Sequence, residues 1–308
     1  MGKSLKVLVT GGAGFIGSHM VDRLVKDGYD VSVLDNLSTG KLDNIRGLVS
    51  AGKVDLIEGD IRDVSLVRKS IEGVGVVIHF AAVTSVPFSV ANPNLTFDVN
   101  LQGTQNLVRA SAQAKVGKFV YISSCAVFGD PESLPVREED HTDPISPYAE
   151  TKLSGERYCL DFQRQQLLQS VVLRFFNVYG PRQGLNDYSG VITRFIDLVG
   201  KNKPLTIYGD GQQSRDFVNV QDIVGGVFAA MQSDSANGQI FNIGSGKATT
   251  INELAKEISD LAGVELKVNY EKARVGEIKH SYADISKAKN ILGYSPSISL
   301  HKGLEELI

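Results

Sequence analysis

The sequence predicts an α/β fold, with a doubly wound parallel sheet covered by helices on both faces and a smaller α/β C-terminal lobe. The first half of the chain alternates short β-branched runs with longer helical stretches, which is typical of a parallel sheet. A glycine-rich turn directly follows the first run. Beyond residue 176, loops rich in Gly, Pro and Asp, such as YGPRQG and YGDGQQSRD, interrupt the alternation. We therefore expect residues 1–176 with 215–245 to form the first part, and residues 177–214 with 246–308 to form the second.

The predicted elements follow from short apolar runs and from helical periodicity. The strands of the first part are expected at residues 5–9, 31–34, 54–57, 76–80, 118–122 and 170–175. Helices are expected between them at residues 14–27, 65–71, 93–114 and 147–166. A further strand at residues 240–243 is expected to return to the same sheet, so the two parts interleave. The second part is expected to hold helices at residues 191–200 and 251–262.

Composition and charge exclude several classes of protein. Apolar residues make up 42% of the chain and charged residues 22%, as in ordinary soluble globular proteins. The formal net charge is -3 and the basic residues are scattered, so we expect no nucleic-acid partner. No run approaches the ~20 apolar residues of a membrane span, and the N-terminus lacks a secretory pattern. Cys125 and Cys159 lack the spacing of metal ligands or of a disulfide framework, so we expect a cytoplasmic protein without a metal.

Three glycines follow the first predicted strand and open the first predicted helix. Gly11, Gly14 and Gly17 would let the backbone approach a pyrophosphate, which then lies at the positive N-terminus of the helix. Asp35 ends the second predicted strand, where a carboxylate can accept hydrogen bonds from the adenine ribose. The next residue is Asn36 instead of an arginine suited to a 2′-phosphate. We therefore expect a Rossmann domain that binds NAD; the alternative is a plain glycine turn with a solvated Asp35.

A tyrosine and a lysine lie one helical turn apart in the motif YAETK. Pro147 suits the first turn of a helix, so Tyr148 and Lys152 are expected on one helix face. A tyrosine is a poor base at neutral pH, but a nearby ammonium and a positive nicotinamide ring both favour the phenolate. A depression of the tyrosine pKa by three units corresponds to about 4 kcal/mol. By itself this spacing also fits an unrelated surface pair.

A serine follows a predicted strand in the motif SSCAVFG. Ser124 is expected at the carboxyl edge of the sheet, where ligands bind in doubly wound folds. A hydroxyl at that edge can hydrogen-bond to the substrate oxygen that loses its proton. Ser124, Tyr148 and Lys152 are therefore the predicted catalytic residues.

Six motifs occur here in the order and spacing of one known family. They are the turn GGAGFIG, HFAA at residues 79–82, Asn100 in NLQGT, SSCAVFG, YAETK and RFFNVYGPR. Together they cover nearly the whole chain and resemble the extended short-chain dehydrogenase/reductases. Within that family the chain looks most like the UDP-galactose 4-epimerase group.

The resemblance implies a reaction and a role for each catalytic residue. In this family a hydride leaves C4 of a UDP-sugar for tightly held NAD, the 4-keto sugar turns over, and the hydride returns to the other face. Tyr148 would then be the base and Ser124 its hydroxyl partner, while Lys152 would tune Tyr148 and bind the nicotinamide ribose. The implied cofactor-binding residues are Gly11, Gly14, Phe15, Ile16, Gly17, Asp35, Asn36, Thr39, Gly40, Asp60, Ile61, Phe80, Ala81, Ala82, Asn100, Tyr148, Lys152 and Phe175.

The resemblance also implies a substrate site in the second part of the chain. Arg215 and Arg274 match positions that grip a diphosphate, for which a guanidinium fork is well suited. The implied substrate-binding residues are Thr84, Ser124, Tyr148, Asn177, Val191, Tyr208, Arg215, Arg274, Glu277 and Ser281.

Departures from related families narrow the reaction. Sugar dehydratases and UDP-glucuronate decarboxylases carry acids directly after the catalytic hydroxyl, where this chain has Cys125 and Ala126. Simple epimerisation is therefore expected. Thr84 stands where galactose-type members frequently have a lysine, so the identity of the sugar in the substrate is not fixed by this resemblance. Ser281 aligns with a position where a small residue admits N-acetyl groups, so UDP-N-acetylhexosamines are expected substrates beside UDP-glucose and UDP-galactose.

Other interpretations of the sequence remain open. One is an epimerase for another UDP-sugar such as UDP-glucuronate, and another is a non-catalytic NAD-bound sensor. His79 and Cys125 are expected to be packing residues without a catalytic role. The resemblance further implies a homodimer, in which the helices predicted at residues 93–114 and 147–166 form a four-helix bundle.

Overall fold

The computed structural model describes residues 5–185, 190–273 and 278–308. Within these ranges the strands are β1 (Lys6–Thr10), β2 (Asp30–Asp35), β3 (Val54–Glu58), β4 (Val76–His79), β5 (Lys118–Ser124), β6 (Ser170–Phe175), β7 (Asn177–Tyr179), β8 (Leu205–Tyr208), β9 (Ser214–Arg215), β10 (Phe217–Asn219), β11 (Ile240–Ile243), β12 (Thr249–Thr250), β13 (Val268–Glu271) and β14 (His280–Ser281). The α-helices are α1 (Phe15–Lys26), α2 (Arg46–Ser50), α3 (Val64–Ser70), α4 (Val86–Ala91), α5 (Pro93–Phe97), α6 (Gly103–Gln113), α7 (Pro147–Arg164), α8 (Val191–Gly200), α9 (Val220–Gln232), α10 (Ile251–Leu261), α11 (Ser286–Leu292) and α12 (Leu300–Glu305).

Seven of the described strands form one parallel sheet. Their order is β11-β6-β5-β4-β1-β2-β3, so the direction of winding reverses between β1 and β4. Ligands bind outside the carboxyl ends of the strands at such a reversal. The predicted fold class is confirmed, and the predicted return of the strand at residues 240–243 is seen in β11, which pairs with β6.

Helices cover both faces of this sheet because the strand residues alternate in direction. Val7 and Val9 of β1 pack into an apolar cluster that contains residues of α1 and α9. Leu8, between them, packs into a second cluster with residues of α3, α6 and α7. Both clusters are closed to solvent, so the strands present rigid ends to the ligand edge.

The helix predicted at residues 93–114 is interrupted in the structure. It consists of α5, a π-helical turn over Asp98–Gln102, and α6. Asn100 lies in this turn with its side chain buried and bonded to the main chain of Val83. Single π-helical turns are frequent at functional sites, and this one carries a predicted cofactor residue.

A smaller lobe packs around a third apolar cluster. It contains residues of α8, β8, α10 and α12, and the pairs β10–β7 and β13–β8 and the set β12–β9–β14 form small sheets. Ala288 and Tyr294 lie within the sequence assigned to this lobe but belong to the cluster of the large sheet. The Tyr294 hydroxyl donates to the Gly244 carbonyl at 2.8 Å, so this segment returns to the first part. Among the helices in the described ranges, none could cross a membrane.

Candidate active site

The predicted catalytic serine and tyrosine meet at the carboxyl edge of the large sheet. Ser124 is the last residue of β5, and its Oγ accepts a hydrogen bond from Ala126 N at 3.2 Å. Tyr148 is the second residue of α7, whose first turn follows from Pro147 and from the capping side chain of Ser146. The Ser124 hydroxyl lies close enough to the Tyr148 phenol to lower its pKa. A substrate oxygen between these hydroxyls could exchange a proton with either.

The pKa of Tyr148 differs from the expectation set by its spacing from Lys152. Burial raises the pKa of Tyr148 to about 12, while the nearby Ser124 hydroxyl acts in the opposite direction. The lysine ammonium is 6.0 Å from the centre of the tyrosine ring and is engaged elsewhere. The lowered Tyr148 pKa that the sequence led us to expect is therefore not produced by the residues of the chain alone.

Lys152 is fixed by the end of β5. Its Nζ donates to the Ile122 carbonyl at 2.8 Å and lies 5.4 Å from the centre of the Tyr121 ring. Burial lowers the pKa of Lys152 to about 8, and the nearby Glu156 carboxylate opposes this lowering. The ammonium is thus close to its titration range at neutral pH.

Asn100, predicted to support the cofactor pocket, joins three elements beside the catalytic helix. Its Nδ2 donates to the Val83 carbonyl at 2.9 Å and to Thr151 Oγ1 at 3.1 Å, and its Oδ1 accepts from Val83 N at 2.7 Å. The Thr151 hydroxyl donates to the Tyr148 carbonyl at 2.8 Å. The loop after β4 is therefore held against the first turn of α7.

His79 is an internal structural residue, as expected from the sequence. Its two ring nitrogens hydrogen-bond to the hydroxyls of Thr10 and Thr104 at 2.7 and 2.9 Å. Burial lowers the pKa of His79 to about 3, so the ring is neutral at pH 7.

The glycine turn after β1 has the geometry that a dinucleotide requires. Gly11 adopts φ +70°, and a Cβ on Gly17 would lie 2.2 Å from the Gly11 carbonyl oxygen, so α1 starts in close contact with the turn. No side chain caps the first turn of α1 and no acidic residue lies in it. The amide groups at Phe15 and Ile16 are thus available donors for a pyrophosphate. These residues fit the phosphates of NAD.

Asp35 both closes the glycine turn and faces the predicted ribose position. Its two carboxylate oxygens accept from Ala13 N at 2.9 Å and from Leu37 N at 2.8 Å. A Cβ on Gly40 would lie 3.1 Å from either oxygen, so the loop that also carries Thr39 passes close to this carboxylate. Each oxygen keeps a further lone pair for a ligand hydroxyl.

The predicted adenine region is organised by a second carboxylate. Asn36 Nδ2 donates to Asp60 Oδ2 at 3.1 Å, which bridges the ends of β2 and β3. The guanidinium of Arg62 holds the pKa of Asp60 at about 2. Ile61 is buried beside these groups, whereas Phe80, Ala81 and Ala82 are half-buried in the loop after β4.

Two predicted substrate-binding residues, Arg215 and Ser281, lie near Cys125, the residue that follows Ser124. Arg215 in β9 pairs in register with Ser281 in β14. The Cys125 thiol lies near the hydroxyls of Ser281 and Ser124 and near the charge of Arg215, all of which lower its pKa. Phe175, the predicted cofactor residue at the end of β6, pairs in register with Ser124. The end of the large sheet and the small sheet of the second lobe therefore meet at one place.

The remaining predicted substrate residues are distributed around this edge. Asn177 begins β7, Val191 begins α8 and Tyr208 ends β8, and all three are half-buried. In the described part of the chain, Oδ1 of Asn177 is buried and accepts no hydrogen bond. Thr84 is exposed in the loop before α4. Arg274 and Glu277 lie outside the described residues.

Two buried carboxylates near the site were missed by sequence reasoning. Glu156 pairs with Arg174 beneath the catalytic residues, and Asp216 accepts hydrogen bonds from Ser245 and Ala283. Only Glu156 had a local signal, because it follows Lys152 by one helical turn. The partners of both carboxylates are distant in sequence.

Comparisons with known proteins agree with this geometry. Residues 7–244 match the model of the NAD dependent epimerase/dehydratase family. A putative UDP-glucose 4-epimerase of Methanocaldococcus jannaschii is 42% identical over 304 residues, which cover 98% of this chain and 97% of that protein.

Two solved structures give the same result. The UDP-N-acetylglucosamine 4-epimerase of Methanobrevibacter ruminantium, in complex with UDP-N-acetylmuramic acid, superposes with a TM-score of 0.94 at 38% identity, covering 99% of this chain and 97% of that one. The UDP-glucuronic acid 4-epimerase of Bacillus cereus, in complex with UDP-glucuronic acid and NAD, superposes with a TM-score of 0.92 at 36% identity, covering 98% and 97%. These relatives share the reaction at C4 and differ in the sugar.

Proposed function

The chain belongs to the NAD-dependent epimerase/dehydratase family, and from this premise we propose that it interconverts UDP-hexoses epimeric at C4. The three relatives described above are named as UDP-sugar 4-epimerases, and the cofactor is NAD. The proposed pairs are UDP-glucose with UDP-galactose, and UDP-N-acetylglucosamine with UDP-N-acetylgalactosamine. The observation that carries the proposal is that the Ser124 hydroxyl lies near the Tyr148 phenol at the carboxyl edge of the sheet whose first strand ends in the glycine turn.

Tyr148 is the proposed acid and base of this reaction. Its phenol takes the proton of the sugar 4-hydroxyl and later returns it, while Ser124 hydrogen-bonds to the same sugar oxygen. A buried phenol with a pKa of about 12 needs a positive charge beside it to act as a base at neutral pH. When bound, NAD supplies that charge on its nicotinamide ring and is the acceptor and donor of the C4 hydride. Lys152 is proposed to hold the nicotinamide ribose.

The residues after Ser124 favour epimerisation over elimination or decarboxylation. Those reactions need a further acid or base at the sugar, and the two positions hold Cys125 and Ala126. Burial raises the pKa of the Cys125 thiol to about 11, so it keeps its proton at neutral pH. Neither side chain is therefore suited to move a proton.

The proposed tolerance of N-acetyl groups rests on small side chains next to Ser124. Ser281 contacts the Cys125 thiol, and both are smaller than the tyrosine that excludes N-acetyl groups in relatives. The Methanobrevibacter ruminantium relative is named for an N-acetylated sugar. Both points support a substrate range that includes the acetylated pair.

A second candidate is a UDP-glucuronate 4-epimerase, which the similarity to the Bacillus cereus enzyme favours. Such an enzyme needs a cation for the C6 carboxylate. Arg182 is paired with Asp22 at 2.7 Å, and Arg215 donates to the carbonyls of Ser214 and Lys279. A non-catalytic sensor is disfavoured because Ser124, Tyr148 and Lys152 are all retained.

The proposal is tested by incubating the purified protein separately with UDP-glucose, UDP-N-acetylglucosamine and UDP-glucuronate, without added NAD. We expect the C4 epimers of the first two sugars. Tyr148→Phe is the matched control, because it removes the hydroxyl and keeps the ring; turnover should fall by about 10²- to 10⁴-fold. Conversion of UDP-glucuronate alone would establish the second candidate. Failure with all three sugars in a protein that retains NAD would contradict both.

We further propose that the protein is a cytoplasmic homodimer joined through α5, α6 and α7. Exposed apolar side chains lie in α5 at Leu95 and Phe97, and just before it in α4 at Val90. Between α6 and α7, Arg109 Nε donates to the Tyr158 hydroxyl at 2.7 Å. Light scattering should give twice the chain mass of 33.3 kDa, and a monomer at micromolar concentration would contradict this proposal.

A further inference from the structure

A buried ion pair lies directly beneath the catalytic residues. Arg174 in β6 donates through Nε to Glu156 Oε1 at 2.9 Å and through Nη2 to Glu156 Oε2 at 2.7 Å. The side chains are 3% and 2% exposed, and the guanidinium lies 4.7 Å from the centre of the Phe128 ring. Such a pair replaces its lost hydration only when its donors and acceptors are satisfied, as they are here.

Glu156 contacts both elements that carry the catalytic groups. It lies one turn after Lys152 on α7, so the two side chains share a helix face. Its Oε1 also accepts a hydrogen bond from the Ser123 hydroxyl at 2.5 Å. Ser123 immediately precedes Ser124 in β5. A single carboxylate therefore fixes the end of β5 against the helix that carries Tyr148 and Lys152.

Arg174 extends the same network toward the strand that carries Ser281. Its Nη1 donates to the Glu138 carbonyl at 3.0 Å, and the Glu138 carboxylate accepts from Asn242 N at 2.8 Å. Two residues earlier, Val136 N donates to the Tyr282 carbonyl at 2.8 Å. Contacts thus continue from the catalytic helix to the residue that follows Ser281.

The charge of Glu156 acts on Lys152 in a buried environment. Burial lowers the pKa of Lys152 to about 8, and the largest opposing influence is the Glu156 carboxylate. The titratable or charged groups near this ammonium, from every element packed against it, are Glu156, Cys159 and Tyr148 on α7, Tyr121 on β5, His79 on β4 and Arg174 on β6. Arg174 is paired with Glu156, and burial keeps His79 neutral. In this set Glu156 is thus the negative group with the largest influence on Lys152.

We propose that Glu156 is a positioning residue of the active site, which keeps Lys152 charged and holds Ser124 in register with Tyr148. Its side chain is 2% exposed, and it acts through Lys152 and Ser123. The effect on turnover rests on the proposed function, whereas the effect on Lys152 does not.

Glu156→Gln tests the proposal because it removes the charge while keeping the size and a hydrogen-bonding oxygen. The Lys152 pKa should fall by about one unit or more, since burial then acts without its main opposition. The alkaline limb of kcat should move to lower pH by the same amount, because the rate is lost as Lys152 loses its proton. At neutral pH kcat should fall about ten- to a hundredfold, as expected for misplaced catalytic groups.

The Lys152 pKa can be followed without turnover. NMR of protein labelled with ¹⁵N-lysine reports the ammonium, and the spectrum of Lys152→Met assigns its signal. An unchanged Lys152 pKa in folded Glu156→Gln protein overturns the proposal, even if no UDP-sugar proves to be a substrate. If the wild-type protein turns over none of the UDP-sugars but Glu156→Gln still shows the expected shift of the Lys152 pKa, only the proposed function is contradicted.

Two further variants separate the effect of the Glu156 charge on Lys152 from the effect of the substitution on protein stability. Glu156→Gln combined with Arg174→Met leaves no unpaired buried charge, so it carries the test if the single variant does not fold. It should show a lowered Lys152 pKa, with a smaller shift than in the single variant because a positive charge is removed as well, and an unchanged value overturns the proposal. Glu156→Asp keeps the negative charge, so the alkaline limb of its kcat–pH profile should stay near that of the wild type. A limb shifted as far as in Glu156→Gln would contradict the role assigned to the charge of Glu156.

Asp222→Asn is the matched control. Asp222 is also a buried carboxylate on a helix, and it accepts from Ser297 N and Ile298 N at 2.9 and 3.1 Å. The control should lose stability without moving the Lys152 pKa. An equal shift in this control would show that any buried carboxylate has the effect, and it would overturn the assignment to Glu156.

Discussion

The Tyr148 phenol shows how burial and charge oppose each other at a single residue. Burial removes water from the hydroxyl and raises its pKa to about 12, which favours the neutral acid. The proposed reaction needs both the neutral and the ionised form in one cycle. If this phenol loses its proton only when a positive nicotinamide ring is bound beside it, Tyr148 is a base only in the complex with NAD. This restricts proton transfer to the loaded site.

Ser281→Tyr should change substrate choice more than it changes overall activity. The added ring would occupy space beside Cys125, where we place the acetamido group. A close-packed site cannot absorb that volume without strain of about 1 to 3 kcal/mol. The kcat/KM for UDP-N-acetylglucosamine should therefore fall roughly ten- to a hundredfold, while that for UDP-glucose is spared.

Steady-state kinetics with both sugars on both proteins measures this effect. His280→Tyr is the matched control, because the neighbouring strand residue is exposed and points the other way. Equal losses on the two sugars in Ser281→Tyr would mean that Ser281 does not face C2. A wild-type protein inactive on the acetylated sugar would mean that another residue sets the pocket size.

His79 should make the fold sensitive to acid. Its pKa is about 3 in the folded protein, against an ordinary value of 6.5, because the ring is buried and the Lys152 ammonium is near it. Between these values the unfolded chain binds more protons, so the free energy of unfolding falls as the pH falls. By linkage the loss from this group is about 3 kcal/mol at pH 4.5.

The measurement is denaturant unfolding of the wild type and of His79→Gln at pH 7.5 and 4.5. The glutamine can hydrogen-bond but does not titrate, so the variant should lose less stability than the wild type over this range. Equal pH dependence in the two proteins would contradict the assignment of a buried neutral His79.

At the scale of elements, the start of α1 depends on glycine. Gly17→Ala would bring a Cβ to 2.2 Å from the Gly11 carbonyl oxygen, which would move α1 away from the turn. We expect the purified variant to lose its bound NAD and about 1 to 3 kcal/mol of stability. NAD released by extraction and the melting temperature measure these effects.

Gly225→Ala is the control for this prediction. Gly225 lies in α9 with no atom within 4 Å of an added Cβ. Alanine is favoured over glycine inside a helix by about 1 kcal/mol, so this variant should keep its NAD and gain stability. Full NAD content in Gly17→Ala would contradict the role assigned to the close start of α1.

The alternation of elements was predictable because apolar runs and helical periods are local properties. The helix α9 was missed for a physical reason. It contains the pair Gly225-Gly226, which disfavours a helix by propensity, yet Gly226 is packed closely by Ile243 and Tyr294. The π-helical turn was also missed, because it depends on the bond of Asn100 to Val83 across the site.

The candidate site was predictable where its residues form local motifs. Ser124, Tyr148 and the glycine turn belong to this group. The pair Glu156–Arg174 was not predictable, because its members meet only when α7 packs on β6. The direction of the Tyr148 pKa could not be inferred either, since the spacing of two residues carries no information about burial.

At the scale of the whole molecule, the site forms where two parts of the chain are joined. Asp216 follows Arg215 and is fully buried, and its carboxylate accepts from Ser245 N at 2.7 Å, Gly246 N at 3.0 Å and Ala283 N at 3.1 Å. These bonds tie the loop after β11 to the segment after β14. The small sheet that contains Arg215 and Ser281 is thereby fixed against the large sheet, with Ser281 and Ser124 both near Cys125.

In the proposed reaction the hydrogen on C4 leaves and returns within one closed site. To measure this, UDP-glucose is converted in D₂O without added NAD, and the product is examined by NMR. We predict UDP-galactose with ordinary hydrogen at C4, because only the O4 proton passes through Tyr148 and exchanges with solvent. Deuterium at C4 of the product would contradict hydride transfer to a retained cofactor and, with it, the proposed mechanism.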